Sequence, residues 1–393
     1  MQRMSVSGGR ATSAGALRPK ATAQDSRALT QELGKARDLP ELLSLEERHG
    51  GRFDHFNLGA FWSKFKKLPR GELSGLRDRL APVCEQTVRM LPTLSAREVA
   101  NVAHAFAKAR LGESGPWEWV WAVLPEVGLR SLGDSNPQGL SNTAWAFATA
   151  GHASHELFNA ISAEAVRRRL GGFNEQALSN TAWAFATAGH ASHELFNAIS
   201  AEAVRRRLGG FAEQHLSTMA WAFAVSDPPS ADELFGTTIF ATLCAQLETS
   251  FSLEQLFQLH QWSLWREERL APWPGLPESL RQACRDAFVA REGQTSLMQS
   301  DVVREIRSRS FNVEEEHRCE ASGYSIAALV TLNDGKRVAV EVDGPFHFVG
   351  RSQQPTGATL LKHRQLRHFG WRLESVPYWE WDRSKELHWL ARP

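Results

Sequence analysis

Apolar residues recur every three or four positions along most of this chain, with polar residues on the opposite arc, a pattern that predicts one amphipathic helix after another. The pattern is sharpest from Leu140 to Phe173, LSNTAWAFATAGHASHELFNAISAEAVRRRLGGF, which returns unchanged as Leu178 to Phe211, a period of 38 residues. Each copy reads as two helices. In the second copy Asn174 is placed to cap the first helix, Leu178, Ala182, Phe185 and Ala186 form its apolar stripe, and Gly189 stops it. Ser192 is placed to cap the second helix, whose stripe is Leu195, Ile199, Ala203 and Val204 and which ends at Gly209-Gly210. A unit this small cannot bury its stripe alone, so tandem copies must stack into an array.

Diverged copies flank the identical pair. Asn101 to Ala107, NVAHAFA, matches Asn142 to Ala148, NTAWAFA, with His104 in the tryptophan position, and Asn57 to Leu68 is a weaker echo. Leu216 to Phe251 is a third, longer copy in which Asp227-Pro228-Pro229 replaces the Gly-His turn. Ser252 to Ala290, with Trp262 and Trp265, reads as a closing pair, since terminal repeats are atypical. The array is expected over residues 38–290. Residues 301–393 then change period. Strands are expected at Phe311 to Glu316, Tyr324 to Leu332 and Arg337 to Asp343, with an Asn333-Asp334-Gly335 turn between the last two. A helix at Thr356 to Phe369, a strand at Trp371 to Val376 and a helix from Tyr378 to Leu390 complete a small α/β domain.

Composition narrows the picture a little. The 393 residues carry a formal charge of +1, so any polyanion site must come from local clustering. No apolar run approaches the roughly 20 residues of a membrane span. Cys84, Cys244, Cys284 and Cys319 have no paired spacing, which argues against a zinc site and for a reducing compartment. Residues 1–37 are expected to be disordered or transit-peptide-like: Met1 to Gln24 holds Arg3, Arg10, Arg18 and Lys20 and no acid. A mitochondrial or chloroplast destination fits such a start, and a cytoplasmic protein with a plain tail is the alternative.

Candidate chemistry lies on two regions. In the array, Asn180, Ala184 and Thr187 are expected to share a face, with Asn142 and Thr218 equivalent to Asn180. Helical-repeat RNA binders read one base per repeat with two or three such side chains, and the plain alternative is a solvated or interhelical face. Trp145, Trp183 and Trp221 suit inter-repeat packing better than base stacking. The runs Arg167 to Arg169 and Arg205 to Arg207, with Arg167, Arg168, Arg205 and Arg206 as the candidates, serve either a phosphate track or the helix dipole. His152, His155 and Glu156, repeated as His190, His193 and Glu194, fall in a turn without HExxH order, so turn capping rather than metal binding is expected. Period and helix-pair pattern together resemble the octotricopeptide repeat of organellar RNA-binding proteins.

The terminal region carries a more specific resemblance. Asp343-Gly344-Pro345, His347-Phe348, Thr356-Gly357, Leu361-Lys362, Gly370-Trp371 and Val376-Pro377-Tyr378-Trp379-Glu380-Trp381 follow the order of the RAP domain, a module of organellar RNA-processing proteins. The resemblance implies a restriction-endonuclease-like fold, and with it a possible metal-dependent endoribonuclease using Glu341, Asp343 and Lys362 with Mg2+. The family commonly places an Asp where this chain has Ala327, and a serine where it has Phe346, whose bulk is expected to crowd the pocket. The expectation is therefore a degenerate site needing no cofactor or metal. Arg351, Lys362, His363, Arg364, Arg367, His368 and Arg372, with Trp371 beside them and no acid between Gly344 and Leu373, read as a basic surface for RNA. The chain is thus expected to be an α-solenoid with a C-terminal RAP domain. It would bind single-stranded RNA, with organellar RNA-processing proteins as further partners and no membrane contact. A nuclease and a protein-interaction scaffold are the alternatives.

Overall fold

A computed structural model describes residues 23–68, 77–111, 115, 117–152, 154–291, 295–350, 352–384 and 387. Among the described residues, fifteen helices build the array in two layers. The inner layer runs α1 (Ala23–Lys35), α3 (His55–Phe65), α5 (Ala96–Lys108), α7 (Pro137–Thr149), α9 (Glu175–Thr187), α11 (Glu213–Ser226) and α14 (Leu253–Glu268), each packed on the next. Behind it lie α2 (Leu39–His49), α4 (Arg77–Met90), α6 (Glu118–Ser131), α8 (His155–Arg167), α10 (His193–Arg205), α12 (Ala231–Phe235), α13 (Thr238–Gln246) and α15 (Glu278–Ala290). The part of the presumed leader that is described, residues 23–37, is not an extended tail. It holds helix α1, which packs on α3: Leu33 is fully buried and Asn57 Nδ2 donates to Ser26 O at 2.9 Å.

The repeat explains the stacking. Phe106, Phe147, Phe185 and Phe223 occupy one position of successive inner helices and all are fully buried, each worth about 1.5–3 kcal/mol of transfer free energy. Phe158 and Phe196 of the outer helices meet Phe185 and Phe223 edge-on at 4.9 and 5.1 Å. Asn174 caps α9 through Ala177 N at 2.8 Å, and Gly189 adopts φ +60° where that helix stops. Ser154 caps α8, but its counterpart Ser192 does not cap α10; its hydroxyl pairs with Ser162 Oγ at 2.7 Å instead. Identical sequence therefore adopts two local solutions at this position.

The terminal domain begins with α16 (Leu297–Ser308). It continues through β1 (Asn312–Arg318), β2 (Ser325–Thr331), β3 (Arg337–Asp343), α17 (Gly357–His368), β4 (Arg372–Pro377) and α18 (Tyr378–Ser384). Strand order is β1-β2-β3-β4, with the first two pairings antiparallel and β3/β4 parallel across the α17 crossover. Valines 338, 340 and 342 of β3 face α16, while Ala339 faces α17. Helix α17 is held between this sheet and the array, and its Leu361 belongs to the array core. A Cβ on Gly357 would strike the Ala186 carbonyl, so glycine permits the helix start to sit directly on α9. Gln365 donates to Gln261 O at 2.9 Å, and the Tyr324 hydroxyl joins Gln365 to Gln261.

Candidate nucleic-acid interface

The open face of the inner helices forms a cleft of about 1000 Å³. Its walls come from a fixed set of repeat positions. Arg97, Gln138, Gln176 and Gln214 lie one turn before Asn101, Asn142, Asn180 and Thr218, and all but Thr218 line the cleft. Asn136 and Asn174, at the helix caps, add two more amides. At the α5 end the lining is cationic, with Lys66, Arg97, Lys108 and Arg110, and no carboxylate lines the cleft among the described residues. The crowding of like charge is visible in the neighbours. Burial, then Lys66 and Lys108, push His104 down to about 4, and burial with Lys67 and Lys108 lowers Lys66. Sequence reasoning missed Arg97 and the three glutamines, although aligning the copies four residues before the asparagine would have found the glutamines.

The aromatics run along the cleft as a ladder. His104 meets Trp145 at 4.9 Å, Trp145 stacks on Trp183 at 6.3 Å, and Trp183 meets Trp221 at 6.5 Å. Trp145 and Trp183 remain partly exposed and each ring joins two repeats, but of the two only Trp145 lines this cleft. Ala184 does not share the face assigned to it. It is fully buried, because the exposed arc of α9 passes through Gln176, Asn180, Trp183 and Thr187. Of the turn histidines, His152 stacks on Trp121 at 4.7 Å, and buried His190 reaches back through Nε2 to Asn159 Oδ1 at 3.0 Å.

The arginine runs separate into two classes. Arg168 pairs with Glu164 and donates to Gly133 O at 3.0 Å, while Arg206 pairs with Glu202 and with Glu175 at 3.0 Å and donates to Phe173 O at 2.7 Å. These two tie successive repeats together and are not part of a phosphate track. Arg167 and Arg205 are exposed but chelate Glu164 and Glu202 of their own helices, both at 2.7 Å. Those carboxylates are held down at about 2, Arg167 and Arg205 being the largest causes.

The expected basic surface of the terminal domain is dispersed. Arg364 Nε binds Glu268 Oε1 at 2.7 Å, and its other nitrogens donate to the Ala224 and Val225 carbonyls at the end of α11. Lys362 Nζ binds buried Glu341 at 2.6 Å, His363 lies 3.5 Å from Asp343, and Arg372 pairs with Glu374 at 3.4 Å. Trp371 turns inward to Cys319 Sγ at 3.3 Å, with Arg337 over its ring. Arg367 and His368 are exposed, and Arg351 lies outside the described residues.

Glu341 and Asp343 do face α17 together, at 2% and 1% exposure. Burial pushes Asp343 upward, but His347 at 3.0 Å, His363 and Ser375 outweigh it and hold the carboxyl well below the usual range. Ala327 supplies no donor, and among the described residues no group of three or more His, Cys, Asp or Glu is arranged to hold a metal ion. Lys362 and the two histidines pair these carboxylates, while Glu341 Oε1 stays buried without a hydrogen-bond partner. Phe346 does not crowd this site; it is 90% exposed on the turn after β3.

A two-layer solenoid of helix pairs, closed by a small mixed α/β domain whose crossover helix is embedded in the array, is the class of architecture these contacts define. The terminal unit is a RAP domain: residues 340–389 match the RAP domain family model. Over 102 residues the chain is 30% identical to a RAP domain-containing protein, chloroplastic, of Oryza sativa subsp. japonica, covering 25% of this chain and 15% of the rice protein. The chain therefore spans only a small part of that relative's length. No helix among the described residues is long and apolar enough to cross a membrane.

Proposed function

We propose that this protein binds single-stranded RNA in the cleft of its helical array and acts in organellar RNA processing, maturation or stability. The observation that carries the reading is the lining of that cleft. Among the described residues, four cations and eight amide side chains occur there with no carboxylate, beside the partly exposed ring of Trp145. Cations attract the phosphates, amides offer both donor and acceptor to base edges, and aromatic edges suit unstacked bases. The core of a protein-binding surface is depleted of lysine, whereas this cleft gathers Lys66 and Lys108. The RAP domain serves as the wall and brace of the array rather than as a nuclease, since Lys362 and two histidines pair its carboxylates and Ala327 adds no further ligand. The organellar assignment leans on the acid-poor start of the chain and on the name of the rice relative.

Fluorescence anisotropy of the full chain with labelled oligoribonucleotides tests the reading. Single strands should bind, duplexes of the same length should bind more weakly, and affinity should fall steeply with salt. A folded chain that ignores every single-stranded oligoribonucleotide at low salt overturns it. Mg2+-dependent strand cleavage lost in Glu341→Gln would instead establish the nuclease.

A further inference from the structure

A second cleft, of about 670 Å³, lies where the RAP domain meets the array. It shares Arg110 and Thr149 with the first, so the two are continuous along the molecule. One wall is the turn after β3, which carries Phe346; the other is the C-terminal end of α7 and α9, with Trp183 and Thr187. The Thr187 hydroxyl has no hydrogen-bond partner. Phe346 is the most exposed large aromatic side chain among the described residues, at 90%, although a bare phenyl ring loses by facing water.

The turn that presents Phe346 is held on both sides. Phe348 packs edge-on against Trp379 at 4.2 Å, Val349 N donates to Gln354 O at 2.8 Å, and Gln354 Nε2 reaches the Ala188 and Gly189 carbonyls at 3.1 Å. Gly350, at φ +55°, lies against Gly151, at φ +70°, so closely that neither has room for a Cβ. A ring carried on a braced turn meets a base with little loss of backbone freedom, which suits a stacking platform.

We infer that this composite cleft is a nucleotide-binding site for the RNA strand as it leaves the array. Phe346 provides the face on which a base stacks, Trp183 lines the opposite wall, and Arg110 carries the phosphate between the two clefts. The site exists only where the RAP domain and the array meet, which gives the domain a direct part in RNA recognition that its internally paired cations do not supply. The inference rests on the proposed RNA binding, and the occupant follows from continuity with a cation-lined, carboxylate-free channel.

The test uses the full chain and fluorescein-labelled oligouridine and oligoadenosine of increasing length. Affinity should step up once a strand is long enough to pass from the first cleft into the second. Phe346→Ala should remove that step, weakening the long oligomers about tenfold while leaving the short ones and the salt slope unchanged. Phe346→Trp should keep the step. Arg110→Gln should instead reduce the salt slope by about 0.7. A 4-thiouridine near the strand end should crosslink to Phe346 or Trp183. If long oligomers bind Phe346→Ala as tightly as the parent, the second site is wrong and the array cleft stands. If no oligomer binds the parent at low salt, both readings fall together.

Discussion

Helices α5 and α17 both carry cations, and the fold uses them in opposite ways. On α17, Lys362 and Arg364 are matched to Glu341 and Glu268, and Arg364 also takes up two carbonyls that α11 leaves unpaired at its end. On α5, Arg97 is exposed and has no carboxylate partner among the described residues, and the helix lies beside Lys66 and Arg110 in a cleft without acids. Positive charge in a sequence is thus two different resources. Matched within the fold, it fixes one body against another; left unmatched, it creates the potential that attracts a polyanion.

The largest expected effect comes from breaking the matched set. Arg364→Ala leaves the Glu268 carboxylate, only 16% exposed, without its partner and strips a donor from two carbonyls. A loss of about 2–4 kcal/mol is expected in urea denaturation, with looser docking of the RAP domain seen as a rise in radius of gyration. An unchanged midpoint would remove Arg364 from the interface. The same contrast holds between adjacent residues at the end of α8. Arg168→Ala should cost about 1–2 kcal/mol because it severs ties to the preceding repeat, whereas Arg167→Ala should cost under about 0.5 kcal/mol because its pair is exposed. Equal costs would mean that the inter-repeat tie contributes nothing.

The unmatched set should answer to salt rather than to denaturant. Arg97→Gln is expected to lower the slope of log affinity against log salt by about 0.7 and to leave stability within about 0.5 kcal/mol. Arg205→Gln, which removes a cation chelated by Glu202 away from the cleft, should leave the slope alone. A common response of both variants would mean that RNA sees net charge and not this channel.

Much of this was legible from residue order, and the remainder fails for a definite reason. A 38-residue identity and a run of family motifs lie along the chain, where period and spacing reveal them. The reading face was half visible: Asn142 and Asn180 recur, but Arg97 does not, so it carried no repeat signal. Matching of charge was invisible. Glu268 lies 96 residues from Arg364 and Glu341 lies 21 from Lys362, and only folding brings each carboxylate to its cation. For that reason a stretch free of acids read as an RNA surface when it is mostly an internal brace. Phe346 misled in the opposite sense: position beside the motif suggested obstruction, and only the direction of the turn shows the ring facing outward.

The smallest expected effect lies at the boundary between the two resources, in His104. Its ring packs on Trp145 between Lys66 and Lys108, and burial together with those two cations holds its pKa near 4, below the ordinary 6.5. The unfolded chain therefore takes up a proton near pH 6.5 that the folded chain refuses until about pH 4. This group's contribution to stability is complete above the higher value and is lost as pH falls through that window. His104→Gln should flatten that part of the stability profile. Phosphates in the cleft would offset Lys66 and Lys108 and raise the His104 pKa, so bound RNA should favour the proton that folding alone excludes. Between pH 7 and 5, RNA affinity should rise more in the parent than in His104→Gln even while the free protein becomes less stable. Superimposable affinity profiles would show that no phosphate lies near His104, and would move the strand away from the α5 end of the channel.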